Sequence, residues 1–303
     1  MHIPDSMLQG SVCPATATVS AIGIAAAAYY GMNGEKPSAS RFAAITALIF
    51  AGQMMNFSIM NGTSGHLLGG VLAASLLGTP FGVLSVAMVV VIQSLVFSDG
   101  GVTVLGANLL NMAIIGAGLG GMLRSTLAAR WQSPRGEILA TAVAAWASVV
   151  LASFTVSVEL AIDGQIVFSS VVAAMVATHA LIGIGEAIIT VAACLFVHST
   201  GTVKIQRGHV VVPFTAATVI ALLLSPFASG FPDGLEWVAE KYQFLHESAP
   251  AFVGPLPDYS VSFIGNEMLS TGLSGMIGVI ISFAAAWALH RFISLFVAQQ
   301  QIA

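Results

Sequence analysis

The chain has 303 residues, of which 57% are hydrophobic and only 7% are charged, with a net charge of −4 and a mean hydropathy of +0.93. Soluble domains carry roughly 25% charged residues, so this composition excludes a soluble globular protein and predicts an all-α, polytopic membrane helical bundle. There is no basic cluster for nucleic acid, and the two cysteines do not suggest a disulfide framework.

Apolar runs of helical length predict nine membrane segments, about seven in a core and two at the C-terminal end. The third is short enough to be re-entrant or tilted, because Thr79-Pro80 ends it. A polar stretch from about 228 to 267 separates the last two segments and is predicted to be an external loop. The predicted segments are 13–30, 42–59, 66–77, 81–97, 102–123, 137–158, 167–197, 210–227 and 269–290.

The basic residues orient these segments, because positive charges collect on the cytoplasmic side of a membrane. With the N-terminus outside, the C-terminus inside and all nine segments crossing, only Lys241 of the nine basic residues faces outward. The opposite orientation would place the other eight on the wrong side. These eight are Lys36, Arg41, Arg124, Arg130, Arg135, Lys204, Arg207 and Arg291.

The first two residues form a ready chelator for a metal ion. The Met1 amine, the deprotonated Met1–His2 amide nitrogen and Nδ1 of His2 would close two chelate rings in one plane. This leaves one in-plane position for another imidazole, and planar nitrogen coordination suits Ni(II) or Cu(II) better than magnesium, calcium or tetrahedral zinc. The sequence shows no secretory signal peptide, whose cleavage would destroy this chelator.

His66 is the candidate for the fourth nitrogen. The predicted topology puts it on the same face as Met1 and His2, at the end of a flexible loop. Pro4 restricts Ile3 to an extended conformation, which can direct the terminus inward. We therefore hypothesise that Met1, His2 and His66 hold one divalent transition metal at the outer face. The alternative for His66 is an interfacial histidine that faces water.

Two ionisable residues lie inside the seventh segment. His179 and Glu186 are seven residues apart and share one face of the helix. Ionisable groups inside a membrane are costly and mark either an ion pathway or a polar partner on another helix. The first reading gives an alternative function, a stand-alone cation channel or secondary transporter that uses this pair. The second gives hydrogen bonds between helices, and both readings stay open.

The sequence lacks the motifs of the common enzymes. It contains no Gly-x-x-x-x-Gly-Lys-Ser/Thr loop, so it cannot bind ATP through a P-loop, and any ATP hydrolysis must occur on other subunits. Zinc-protease and serine-hydrolase motifs are also absent. We therefore predict that the chain is not an enzyme.

Three runs of residues together resemble the CbiM/NikM family. They are Met-His-Ile-Pro-Asp at 1–5, Gly-Thr-Ser-Gly-His-Leu-Leu-Gly-Gly at 62–70, and His-Ala-x-Ile-Gly-x-Gly-Glu at 179–186. This family comprises the substrate-binding membrane components of energy-coupling-factor transporters for cobalt and nickel. The resemblance covers about residues 1–205. Pro-Asp-Gly-Leu-Glu at 232–236 is similar to the PDGLE domain of the auxiliary CbiN/NikN subunits, so residues 206–303 resemble that domain, with two membrane helices.

The resemblance implies a function and a set of ligands. The chain would be the substrate-capture component of an ATP-driven importer in a bacterial or archaeal inner membrane. The Met1 amine, the amide and side-chain nitrogens of His2, and His66 would hold the transported Ni(II) or Co(II), with no permanently bound cofactor. A transmembrane coupling protein and cytosolic ATPases would be its partners. Ser6 stands where the family commonly has glycine, but it is not an expected ligand. The choice between nickel and cobalt stays open.

Overall fold

The computed structural model describes residues 1–201, 208–244 and 250–300. Within these ranges the chain is an all-α bundle with one short hairpin, which confirms the predicted fold class. The helices are α1 Val12–Asn33, α2 Ala39–Gln53, α3 Gly70–Leu77, α4 Thr79–Phe97, α5 Leu105–Trp131, α6 Pro134–Ile162, α7 Phe168–Gly201, α8 Gly208–Val219, α9 Gly234–Lys241 and α10 Glu267–Gln300. The hairpin strands are β1 Asn56–Ser58 and β2 Ser64–His66, and α8 continues through a π-turn to Phe227.

Seven helices in the described part of the chain are long and apolar enough to cross a membrane, namely α1, α4, α5, α6, α7, α8 with its continuation, and α10. The 15 residues of α2 extend only about 22 Å at 1.5 Å per residue, which is short of the roughly 30 Å hydrocarbon core of a bilayer. Nearly all residues of α2 and α3 are buried. These two short helices therefore form the interior of the bundle, and the longer helices surround them.

Two predicted segment boundaries are wrong, and one predicted loop contains a helix. The second segment is helical only to Gln53, because the chain then forms β1 of the hairpin, and Gly62, with φ of 73°, makes its turn. The third helix begins at Gly70 rather than at His66, which lies in β2. The polar stretch from 228 to 267 is not only a loop, since it contains α9.

The hairpin and α3 return the chain across the bundle. Arg41, at the start of α2, donates a hydrogen bond of 2.6 Å to the carbonyl of Leu76 near the end of α3. Gly78, with φ of 83°, then turns the chain into α4. Arg41 and the C-terminal end of α5, with Arg124 and Arg130, therefore lie at the end of the bundle opposite Met1. The orientation of these ends across a membrane stays a prediction, and Lys204 and Arg207 lie outside the described residues.

The C-terminal residues pack into the same bundle as the rest of the chain. Gly278 of α10 faces Phe50 and Phe97, and a Cβ at this position would lie 2.9 Å from Cζ of Phe97. Phe214 of α8 meets Phe283 of α10 edge to face, with ring centroids 5.1 Å apart. Small residues allow such close helix packing without a hydrophobic driving force in lipid.

Gly70 of α3 packs directly against the backbone of α5, and we expect Gly70→Ala to destabilise the bundle. A Cβ at this position would lie 2.6 Å from the backbone nitrogen of Ala117. Because backbone cannot give way as a side chain does, the methyl group should cost about 1–3 kcal/mol of unfolding free energy. Thermal unfolding of the purified protein in detergent measures this loss. Gly265→Ala, which enters open space, is the control, and equal stability of the two variants would contradict the prediction.

Candidate functional site

The first residues of the chain are held inside the bundle by one asparagine. Asn108 of α5 accepts a hydrogen bond from the backbone nitrogen of Ile3 at 2.8 Å and donates to the carbonyl of Ile3 at 3.0 Å. The backbone nitrogen of Gly101 donates to the same carbonyl at 2.9 Å. With Ile3 fixed in this way, Met1 and His2 are buried, with only 5% and 9% of their surface exposed.

The hairpin positions His66 beside the terminus. β1 and β2 pair antiparallel, with Asn56 opposite His66. Gly65 allows β2 to lie directly on α7, since a Cβ there would be 2.7 Å from Ile182. Behind the hairpin, Glu186 of α7 accepts hydrogen bonds from the backbone nitrogens of Leu68 and Gly69, at 2.6 and 2.9 Å. His66 is therefore buried and fixed from both sides.

The structure brings the three predicted ligand residues together. The Met1 amine donates a hydrogen bond to Nε2 of His66. The rings of His2 and His66 stack, with centroids 5.0 Å apart and planes 17° apart. No group of three His, Cys, Asp or Glu side chains suited to a metal occurs among the described residues, so a metal site here depends on the nitrogens of the main chain.

His66 directs the unprotonated nitrogen of its ring toward the amine. Its Nδ1 lies 3.0 Å from the carbonyl of Leu67 and donates to it. This contact places the ring proton on Nδ1 and leaves the lone pair of Nε2 facing Met1. Metal-binding histidines commonly donate their other N–H to a carbonyl in this way, which orients the ring.

His2 belongs to a closed ring of polar contacts with Gln93, Tyr259 and Asp99. Tyr259 donates to Asp99 Oδ2 at 2.6 Å and accepts from Nε2 of Gln93 at 3.1 Å. Oε1 of Gln93 lies 3.1 Å from Nε2 of His2, and Nδ1 of His2 lies 3.1 Å from Asp99 Oδ1. Gln93 enters this ring from a π-turn at the end of α4, a feature that is frequent at functional sites.

This ring places an oxygen acceptor at each nitrogen of His2. Tyr259 uses its proton for Asp99, so Gln93 must donate with its amide nitrogen and accept with its oxygen. A neutral His2 carries one ring proton, which it donates either to Gln93 through Nε2 or to Asp99 through Nδ1. Nδ1 is the nitrogen that the predicted chelate uses. In this structure it faces Asp99, so chelation requires the ring to exchange that contact for the metal.

The electrostatics of the site favour neutral imidazoles beside a carboxylate anion. Burial lowers the pKa of His66 to about 3, and the positive amine acts in the same direction. Burial also lowers the pKa of His2, although Asp99 opposes it. Burial raises the pKa of Asp233, but the adjacent amine, His66 and the hydrogen bonds to the carboxylate together outweigh it and hold this pKa well below its usual range. Both rings therefore keep a lone pair at neutral pH, which metal binding requires.

Asp233 lies closest to the amine among the carboxylates of the site. Its Oδ2 lies 2.5 Å from the nitrogen of Met1 and 3.9 Å from Nε2 of His66. A cavity of 440 Å³ opens beside this cluster. Polar side chains line most of it, including His2, His66, Asp99, Asp233, Glu236 and Tyr259.

His179 and Glu186 form hydrogen bonds with different partners. Both carboxylate oxygens of Glu186 bind the loop after His66, as described above. Nδ1 of His179 donates to the carbonyl of Met175 at 2.8 Å, and its Nε2 has no hydrogen-bond partner among the described residues. The His179 bond lies within α7, whereas Glu186 makes the polar contact between segments that the second sequence reading describes.

Sequence reasoning missed four members of the site. No role in the site was predicted from the sequence for Gln93, Asp99, Asp233 or Tyr259. A signal existed for Asp233, because Asp-x-x-Glu at 233–236 is the pattern of a capping box. Nothing in the sequence pairs Tyr259 with Asp99 or Gln93.

Comparison with known proteins places this chain among metal transport proteins. The family described as "Cobalt uptake substrate-specific transmembrane region", CbiM, matches residues 2–203, and the PDGLE domain matches residues 207–295. A putative fused nickel transport protein NikMN from Archaeoglobus fulgidus is 32% identical over 96% of this chain and 99% of its own length. A fused nickel transport protein NikMN from Rhodobacter capsulatus is 28% identical over 94% of this chain and 95% of its own.

A solved structure shares the fold. The crystal structure of a truncated transition metal transporter is 25% identical and superposes with a TM-score of 0.59. It covers 66% of this chain and 99% of the solved chain. Over the matched part of this chain, the arrangement of the helices is therefore common to both proteins.

We expect Glu186→Gln to destabilise the fold, because an amide cannot accept both backbone hydrogen bonds. Hydrogen bonds to a charged group contribute roughly 1.5–3 kcal/mol each, so losing one should lower the unfolding free energy by about 2 kcal/mol. Denaturant titration in detergent measures this change. The control is Glu35→Gln, since Glu35 is exposed in the loop between α1 and α2. A similar loss in both variants would show that Glu186 does not hold the hairpin.

Proposed function

The chain belongs to the CbiM family of nickel and cobalt transport proteins, with a PDGLE domain fused at its C-terminal end, and we propose that it is the substrate-capture component of an ATP-driven importer of the energy-coupling-factor type. Its cargo is one Ni(II) or Co(II) ion. The ligands are the amine of Met1, the amide and Nδ1 nitrogens of His2, and Nε2 of His66. The metal is captured at the outer face of the membrane.

One observation carries this proposal. The Met1 amine and the unprotonated Nε2 of His66 are in direct contact, and the ring of His2 stacks on that of His66. Nitrogen atoms of two residues that are 65 positions apart in the sequence thus meet in the buried interior. The hydrogen bond from Nδ1 of His66 to the carbonyl of Leu67 leaves a lone pair on Nε2, the nitrogen that a chelate would use.

The chemistry of this donor set favours Ni(II). Four nitrogens in a plane suit its square-planar preference, and Co(II) accepts nitrogen ligands as well. Binding displaces the protons of the amine and of the Met1–His2 amide to solvent, so affinity should fall in acid.

The proposed partners follow from what this chain lacks. Its sequence has no P-loop, so a transmembrane coupling protein and cytosolic ATPases would supply the energy. We propose that the N-terminus faces outward, since the described basic residues lie mostly at the opposite end of the bundle. We also propose a division into a metal-binding domain, residues 1–205, and a PDGLE domain, residues 206–303, which meet within the segment that the structure leaves undescribed.

Metal titration of the purified chain tests the proposed ligands. The wild-type protein should bind one Ni(II) per chain with a square-planar absorption band. His66→Ala, and a variant with one alanine inserted between Met1 and His2, should each weaken binding by more than about 100-fold, since each removes a ligand or enlarges a chelate ring. Calorimetry and absorption spectroscopy report the affinity and the geometry.

The insertion variant is the sharper of the two, because it keeps every side chain and changes only the ring sizes. His290→Ala is the control, since His290 lies against Phe42 at the other end of the bundle. Binding like wild type in both test variants would exclude the N-terminal site.

A further inference from the structure

The C-terminal part of the chain, residues 206–303, completes the hairpin that carries His66. Residues 229–233 run beside the hairpin. The backbone nitrogen of Ser64 donates to the carbonyl of Pro232 at 2.9 Å, and the hydroxyl of Ser64 donates to Phe231 at 2.8 Å. The backbone nitrogen of Ser229 donates to Asn56 at 2.8 Å. This segment therefore binds the hairpin through backbone groups, as an added strand does.

The same segment ends at Asp233, whose two oxygens have separate tasks. Oδ1 accepts from the backbone nitrogens of Leu235 and Glu236, at 2.8 and 2.9 Å, and caps α9. The side chain of Glu236 completes the capping box by accepting from the backbone of Asp233 at 3.0 Å. The cap fixes the carboxylate so that Oδ2 points at the Met1 amine, 2.5 Å away.

The negative charge of Asp233 gives its contact with the Met1 amine a role beyond capping α9. In the proposed chelate, the +2 of the metal and the −1 of the deprotonated amide leave a net charge of +1. The ligand residues are buried, and an unpaired charge is costly in such a place. Asp233 is an anion in contact with one ligand and near another. Asp99 faces only His2 and also accepts from Tyr259.

We propose that Asp233 is the positioning residue and charge partner of the metal centre. Its carboxylate holds the Met1 amine against His66 and balances the net positive charge of the metal chelate. The C-terminal part thus contributes a residue to the metal centre itself, in addition to its contacts with the hairpin. This inference rests on the proposed function, because it takes Met1, His2 and His66 as the ligands.

Asp233→Asn in the full-length protein separates charge from structure. Asparagine is as good a helix N-cap as aspartate, so the variant keeps α9 and removes only the negative charge. We expect Ni(II) to bind about 10- to 100-fold more weakly, the usual effect of removing a group that supports a metal ligand. The square-planar band should keep its position, because Asp233 is not itself a ligand. Titration with nickel chloride, followed by calorimetry and absorption, gives both values.

Two further variants complete the test. Glu240→Gln removes the same charge from an exposed position on α9 and should bind Ni(II) within about twofold of wild type. Asp233→Glu restores the charge and should recover part of the affinity.

The outcomes are distinct. Wild-type affinity in Asp233→Asn overturns the inference, and so does an Asp233→Glu variant that binds no better than Asp233→Asn. A shifted absorption band would make Asp233 a direct ligand and would also overturn it. His66→Ala and the alanine insertion, measured in the same series, report separately on the proposed ligands. If they lose binding while Asp233→Asn keeps it, the proposed function stands and this inference fails.

Discussion

The pairing of Asn108 with the backbone of Ile3 fixes where the first two residues lie. A terminal amine has no side chain to aim it, so only the backbone that follows can set its position. Ordering each residue costs roughly 1–2 kcal/mol of conformational entropy. Asn108 supplies both a donor and an acceptor from a rigid helix, and this holds the chain as a neighbouring strand would. The contacts of Met1 with His66 and Asp233 depend on this anchor.

Much of the fold follows from the sequence, because lipid imposes a simple rule. A segment that crosses hydrocarbon must satisfy its own backbone, so long apolar runs become helices. The alternation of such runs also put Met1, His2 and His66 at one end of the bundle, where the structure finds them. The second segment was extended too far, since its last six predicted residues are only moderately apolar and their partner strand lies further along the chain. Of that partner strand, Ser64–His66, the sequence predicted His66 as the start of a helix and Ser64 and Gly65 as part of the preceding loop.

The supporting residues of the site could not be read in the same way. Gln93, Asp99 and Tyr259 are common polar residues, and their mutual hydrogen bonds join positions about 160 residues apart. Only the packing of α10 and the loop before it brings Tyr259 to this place. The capping box at Asp233 was readable as the start of a helix, but its neighbour, the Met1 amine, was not. Local patterns thus identified the candidate ligands, and tertiary packing alone identified the groups that orient them.

Residues 229–233 lie along the hairpin as a strand would, and their covalent link to the bundle sets how tightly they need to bind it. It binds the hairpin through a few hydrogen bonds, which would make a weak complex between separate polypeptides. Because it is covalently linked to the rest of the bundle, it meets the hairpin at an effective concentration of order millimolar. A contact too weak for this segment as a free peptide is then nearly always formed. Because residues 229–233 are fused to the bundle, the fraction of molecules in which they cover the edge of the hairpin does not depend on how much protein the cell produces.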